Sequence, residues 1–331
     1  SKTHTWYMNG WELFRWNVWK DCGNNPIYPQ GGTWPFDRAG WCPGTKVDEY
    51  SFELTPFVNP RDTIKLNYGI EKYFNNGEKN GNLRMSHQLI SYGKPNFLND
   101  VELMDIISPS SQDKYSRINP TLSNPRILIK NSGKYNLKSL EIRYGLKNRK
   151  KSIFQWSGNL KFLEEKEIFL PIPSWRGLKK NKIFEVKLKN PNNRKDEYPQ
   201  NNLLTSTVLL PKVFPQEIIL SIKTNNVNRA QENSFTLSDV NGKVLYAEEH
   251  FEDSTQYQFP IKLKRGAYQF LFKDDMEDGI SRHWWYRNSA PKKVGIKGEI
   301  RFLTMNGDTL YEFKPDFGQE LQFNFHVGRL P

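Results

Sequence analysis

Short runs of alternating apolar and polar positions recur along this chain, each bounded by Gly, Pro, Asn or Asp. Period two is the signature of a half-buried strand, because successive side chains leave a pleated backbone on opposite faces. Residues 3–18 hold two such runs around Asn9-Gly10, a dipeptide that tolerates positive φ at both positions and so predicts a tight hairpin. Residues 49–54, 63–68 and 83–90 read as three more strands that would close a jelly roll, with Asn75-Asn76-Gly77 and Asn80-Gly81 in the loop between the last two.

Further on, runs at 101–109, 126–130, 140–144, 153–158, 167–171 and 183–188, and a final one through Val208, follow at intervals of about a dozen residues. That spacing fits a seven-strand sandwich of the immunoglobulin-like kind. Pro211 and Pro215 bracket a new start, after which runs at 218–223, 234–237, 243–246, 256–263, 267–272, 298–302 and 321–327 predict another sandwich. Asp239-Val240-Asn241-Gly242 and Lys264-Arg265-Gly266 read as hairpin turns within it. The expected fold is all-β: a partial jelly roll over residues 1–95, an immunoglobulin-like sandwich over 96–212 and a C-terminal sandwich over 213–331.

Composition supports this pattern. With hydrophobic residues at 37% and aromatics at 14%, much of the core must come from rings that suit pleated surfaces. A chain of 331 residues is long enough for two or three domains, each with an adequate core. The net charge of +12 raises nucleic acid or an anionic surface as partners. Lys and Arg are scattered, however, and the basic run 147–151 reads as a solvated hairpin tip, which argues against a dedicated nucleic-acid site. No apolar run is long enough for a transmembrane helix.

Geometry-fixing residues are densest in Trp34-Pro35-Phe36-Asp37-Arg38-Ala39-Gly40-Trp41-Cys42-Pro43-Gly44, a shaped loop with two indoles around an Asp-Arg pair. The chain has two cysteines, Cys22 and Cys42. A disulfide closing the loop between them is the economical reading, and two unrelated buried thiols is the alternative.

This loop resembles that of the peptide-N-glycosidase F family, and the similarity extends back through Thr3-His4-Thr5, Asn9-Gly10 and Cys22 and, more weakly, forward to about Pro95. The resemblance implies a secreted bacterial amidase, of Bacteroidetes type, that cleaves between the first sugar and asparagine of N-linked glycoproteins in a site between two jelly rolls. It implies a structural bridge for Cys22 and Cys42 and a place in the cleft wall for Arg38 and Trp41, which would bind substrate. The family's catalytic aspartate and glutamates would lie upstream of Ser1, so no catalytic residue is carried over. Asp37 matches the family loop, not the catalytic aspartate.

Two functions follow. The chain is either a binding or assembly component, whose partner is the upstream half of the same protein, a cell-envelope protein or an N-glycan glycoprotein, or it is the C-terminal part of an N-glycan amidase. A bridged cysteine pair fits an oxidising site, either the periplasmic face, the cell surface or the exterior.

Other candidates are weaker in specificity. Trp6, Trp11, Phe14, Trp16 and Trp19 form either a core stripe or a sugar-stacking surface. His4 and His87 are isolated, and His4 with Met8 or Met85 is a poor match to a copper ligand set. Asp196 and Glu197 among several Asn are either Ca²⁺ ligands or a solvated turn. No cofactor is required, but Asp274, Asp275, Glu277 and Asp278 offer hard oxygens for a structural Ca²⁺, the alternative being solvated carboxylates around a tight loop. The loop resembles that of sandwich modules appended to secreted bacterial enzymes. The adjoining His283-Trp284-Trp285-Tyr286 is either a stacking platform or a strand that pins it.

Overall fold

A computed structural model describes residues 3–25, 38–42, 45–59, 61–72, 84–118 and 121–330. Among these the chain is all-β, with short 3-10 turns as its only helices. None of them is long and apolar enough to cross a membrane.

The first residues form the predicted hairpin. β1 (Thr3–Met8) and β2 (Trp11–Asn17) pair in antiparallel register, closed by Asn9 and Gly10 at φ 52° and 89°. β3 (Trp19–Lys20) and β4 (Arg38–Ala39) make a two-stranded ladder, and β5 (Leu66–Ile70) adds to the free edge of β1. Residues 49–54 and 84–90 are not strands, contrary to expectation. In residues 49–54 ring packing takes the place of strand pairing: Phe52 lies 4.6 Å from Trp16 and 4.9 Å from Phe14, and Tyr50 lies 6.1 Å from Trp16. The loop predicted around residues 75–81 lies outside the described residues.

The middle of the chain contributes β6 (Val101–Ser108), β7 (Arg126–Asn131), β8 (Leu137–Leu146), β9 (Ser152–Leu160), β10 (Glu165–Phe169), β11 (Ile183–Lys189) and β12 (Leu203–Thr207). They form a three-stranded sheet, β10-β7-β6, and a four-stranded sheet, β12-β11-β8-β9. Between them lies a mainly aliphatic core that includes Ile127, Ile129, Leu140, Ile142, Phe184 and Val186. Asp196 and Glu197 are not a solvated turn. Asp196 is buried and accepts the Val101 and Tyr198 amides, while Glu197 accepts those of Leu98 and Asn99, so the pair clamps the start of β6.

This clamp sets Asp100, only 4% exposed, beside Asp196. Burial first, then the neighbouring Asp196 and Glu102 charges, push the Asp100 carboxyl up to about 6. A carboxyl raised in the folded state holds its proton where the unfolded chain has lost it, so stability falls as pH rises from about 4 to about 6. Asp100→Asn keeps the oxygen that accepts the Asn201 amide and offers an N–H toward Asp196. It is expected to stabilise the protein by about 1–2 kcal/mol at pH 7.5 and by almost nothing near pH 4, read from urea midpoints at the two pH values.

The last third contributes β13 (Lys212–Phe214), β14 (Glu217–Lys223), β15 (Asn233–Asp239), β16 (Val244–Glu248), β17 (Gln256–Lys262), β18 (Gly266–Asp274), β19 (Glu299–Leu303), β20 (Thr309–Glu312) and β21 (Glu320–Val327). The sheets are β13-β21-β18-β15-β16 and β17-β14-β19-β20, around a phenylalanine-rich core including Phe235, Phe270, Phe302 and Phe325. Lys264-Arg265-Gly266 is a corner, not a hairpin turn, because β17 and β18 belong to different sheets.

The three parts meet at Arg117, which is 4% exposed on a 3-10 turn between β6 and β7. Its Nε donates to the Asn25 carbonyl, and its Nη1 donates to the Phe317 and Glu320 carbonyls at 2.6 and 2.7 Å.

Candidate functional site

The expected bridge is present. Cys22 and Cys42 are disulfide-bonded and almost wholly buried, and among the described residues no cysteine is free. The bond ties the end of β3 to the turn after β4, where Trp19 pairs with Ala39 and Lys20 with Arg38. Backbone bonds from the Gly40 amide to Val18 and from the Asp48 amide to Gly40, with the Lys20–Asp48 ion pair at 2.6 Å, fix the turn that carries Trp41. Trp41 remains 43% exposed and Trp19 45%. The Arg38 backbone is set in β4. Its side chain, like Asp37 and the Trp34–Phe36 part of the loop, lies outside the described residues.

The aromatic stripe divides between its two predicted roles. Trp6, Phe14 and Trp16 are half-buried in a ring cluster with Phe52, Phe57 and Tyr68, whereas Trp11 is 81% exposed. The isolated histidines converge on that cluster. His4, fully buried, has Nδ1 hydrogen-bonded with the Tyr68 hydroxyl, and the rings of Tyr68 and Trp6 lie 4.6 and 5.0 Å from His87. The Tyr68 hydroxyl in turn donates to the Met85 sulfur at 2.7 Å. Burial, reinforced by the His87 charge, holds His4 below the usual imidazole range, which favours its neutral form.

A second concentration of chemistry lies at the end of β18. Glu232, Asp274 and Asp278 each offer a carboxylate oxygen, all within 4.8 Å of one another. The fold brings together only part of the set the sequence suggests. Asp274 and Asp278 belong to the cluster, but Asp275 and Glu277 do not; Glu277 turns to the Gln319 amide at 3.0 Å. Glu232 was missed because it is distant in sequence, just ahead of β15. The β15–β18 register sets Asn233 opposite Asp274, and the Asp275 amide donates to the Glu232 carbonyl at 3.0 Å.

Asp274 is 1% exposed, and burial, then Asp278 and Glu232, push its carboxyl up to about 9. Burial, followed by Asp278, pushes Glu232 to about 7. Asp278 is flanked by His283 Nε2 at 2.7 Å and, more distantly, by Arg229 at 3.9 Å. His283 stacks on Trp285 with ring centroids 4.6 Å apart. The 283–286 segment therefore pins the loop as a 3-10 turn (Trp284–Tyr286), not as a strand, and leaves Trp284 half exposed.

The two regions touch. The Gln319 amide donates to the Gly23 carbonyl at 2.9 Å, and a Cβ at Gly23 would overlap Glu277 side chain and meet its carbonyl at 2.7 Å. The disulfide turn thus rests on the acidic loop.

Comparison with known proteins bears on the first region. A family model described as "Peptide-N-glycosidase F, C terminal" matches residues 1–90. Over 82 residues the chain is 35% identical to peptide-N(4)-(N-acetyl-beta-D-glucosaminyl)asparagine amidase F of Elizabethkingia miricola. The alignment covers 23% of this chain, which spans 22% of the length of that relative. In sequence, the N-terminal part of this all-β chain resembles the C-terminal domain of peptide-N-glycosidase F.

Proposed function

We propose that this chain is a glycan-binding component of a bacterial cell envelope or secretome, in which residues 1–95 recognise N-linked glycoprotein and two sandwiches, an immunoglobulin-like one over 96–212 and another over 213–331, mount that surface. The observation that carries the reading is the disulfide-bonded β3–β4 ladder with Trp19 and Trp41 exposed beside it. A pyranose presents an apolar C–H face that stacks on an indole, and a bridged turn holds the indole in place without ordering it on binding. Arg38, from the same ladder, supplies the donor fork for sugar hydroxyls. The bridge is consistent with the periplasmic face, the cell surface or the exterior, where disulfides persist. A cell-envelope protein is then the partner of the mounting sandwiches.

The amidase reading is favoured by the name of the Elizabethkingia relative. In it, the same surface positions the chitobiose core while carboxylates elsewhere in the complete protein activate water at the glycosylamide. One experiment separates the readings. The complete protein is titrated calorimetrically with an N-glycopeptide, and the peptide is then weighed by mass spectrometry. Binding with the glycopeptide intact supports a binding component, whereas release of glycan with conversion of Asn to Asp supports the amidase. Trp41→Ala is expected to weaken binding about tenfold, the worth of one ring stack. Absence of binding by the wild type would remove both readings.

A further inference from the structure

We propose that Glu232, Asp274 and Asp278 bind a Ca²⁺ ion, which orders the loop at the end of β18 and with it the shelf on which the disulfide turn rests.

Oxygens that share one Ca²⁺ at roughly 2.3–2.6 Å lie no more than about 5 Å apart, the spread seen here. The cluster is also buried and unpaired in a way that a solvated acidic turn is not. Glu232 Oε1, Asp274 Oδ2 and Asp278 Oδ1 lie out of solvent with no hydrogen-bond partner. So does Oδ1 of Asn233, which is 3% exposed and stands opposite Asp274 in the sheet, on the same face. Three clustered carboxylates, and the Asn233 amide across the sheet from Asp274, therefore each hold an oxygen with no partner. Leaving such atoms bare is unfavourable for each, and three carboxylates there repel one another.

The basic side chains present answer only part of this charge. Arg229 stands 3.9 Å from Asp278 and turns its other donors to the Asn226, Ser281 and Val294 carbonyls. His283 reaches Asp278 alone among the three. It thereby orients that carboxylate, as a supporting group orients a ligand. A donor set made only of oxygens selects a hard cation, and an irregular cluster that leaves positions for water suits Ca²⁺ better than the strict octahedron of Mg²⁺.

The backbone builds the pocket. The Glu277 amide donates to the Asp274 carbonyl and the Asp278 amide to Asp274 Oδ1 at 3.1 Å, which folds the loop back over the cluster. Glu277 at its apex carries the contact with Gly23. An ion that fixes Asp274 and Asp278 fixes Glu277 between them.

The test uses the whole chain freed of metal by chelation. Adding 1 mM-range Ca²⁺ is expected to raise the melting temperature by about 5 °C, with Mg²⁺ giving less than half of that at equal concentration. Tb³⁺ is expected to give luminescence excited through Trp285 and displaced by Ca²⁺. Asp274→Asn keeps the acceptor for the Asp278 amide and leaves no carboxylate at that position to ligate the ion. It is expected to melt no lower than the metal-free wild type while its Ca²⁺ affinity falls about 100-fold or more. Asp275→Asn, outside the cluster, is expected to keep wild-type affinity. A wild type indifferent to Ca²⁺ and Tb³⁺, an Asp274→Asn variant that still binds, or equal losses in Asp274→Asn and Asp275→Asn would each overturn the assignment.

Discussion

Arg117→Ala is expected to destabilise the protein by about 4 kcal/mol and to split one thermal transition into two or more. The Arg117 guanidinium, carried by the middle part of the chain, donates to the first part through the Asn25 carbonyl and to the last through those of Phe317 and Glu320. Hydrogen bonds from a charged donor are worth roughly 1.5–3 kcal/mol each, and removal of the donor leaves acceptors facing a cavity. Arg117→Lys should recover only part of the loss, because an ammonium is a point charge without the planar fork that spans separated carbonyls. Scanning calorimetry of wild type and both variants reads the result. An Arg117→Ala variant that melts within about 1 °C of wild type in one transition would mean that water replaces the guanidinium fully.

Nothing in the sequence around Arg117 marks it as a joint. It sits in a polar stretch, Ser110 to Arg117, where charge reads as solvated surface. Alternation recovered the strands of the middle and last thirds well because both sheet faces there differ sharply in burial, as in the buried-intermediate alternation of β7 and β14. It missed β13 and β20, which have three and four residues, too few to show a period. It also over-assigned residues 49–54. Alternation reports which side chains turn inward, and there the half-buried Phe52 packs on Phe14 and Trp16 without a paired backbone.

The candidate sites divide along the same line. The Cys22–Cys42 bridge and the exposed Trp41 belong to one short loop whose order of rare residues is local information. The carboxylate cluster is not local, since Glu232 joins Asp274 only through the β15–β18 register. His4 and His87 likewise come to share Tyr68 only because β5 brings that ring alongside β1. A scan of neighbouring residues finds Asp275, which is exposed, and Glu277, which turns to Gln319, and passes over Glu232.

The loop between these carboxylates and the core ends at Gly279, and Gly279→Ala is expected to lower stability by about 4 kcal/mol. Gly279 has φ +67°, where an L-residue is disfavoured by roughly 1–2 kcal/mol. A Cβ there would meet the Pro315 carbonyl oxygen at 2.6 Å and the Phe317 amide nitrogen at 3.0 Å, both backbone atoms that cannot swing aside. The next residue's amide is already bonded to that same Pro315 carbonyl at 2.9 Å, so relief of the clash stretches the bond that docks the loop. Overpacking of this kind adds about 1–3 kcal/mol to the conformational penalty. The displacement falls first on Asp278, one residue away, and then on Glu277, which supports Gly23. Urea unfolding measures the stability, and Gly242→Ala serves as the control: Gly242 also has positive φ, but its Cβ would meet nothing within 4 Å. A control loss of about 1 kcal/mol beside the larger loss at Gly279 separates steric docking from backbone conformation. Equal losses at the two glycines would mean that the loop is free to move off Pro315 and that its docking does not hold the carboxylates in place.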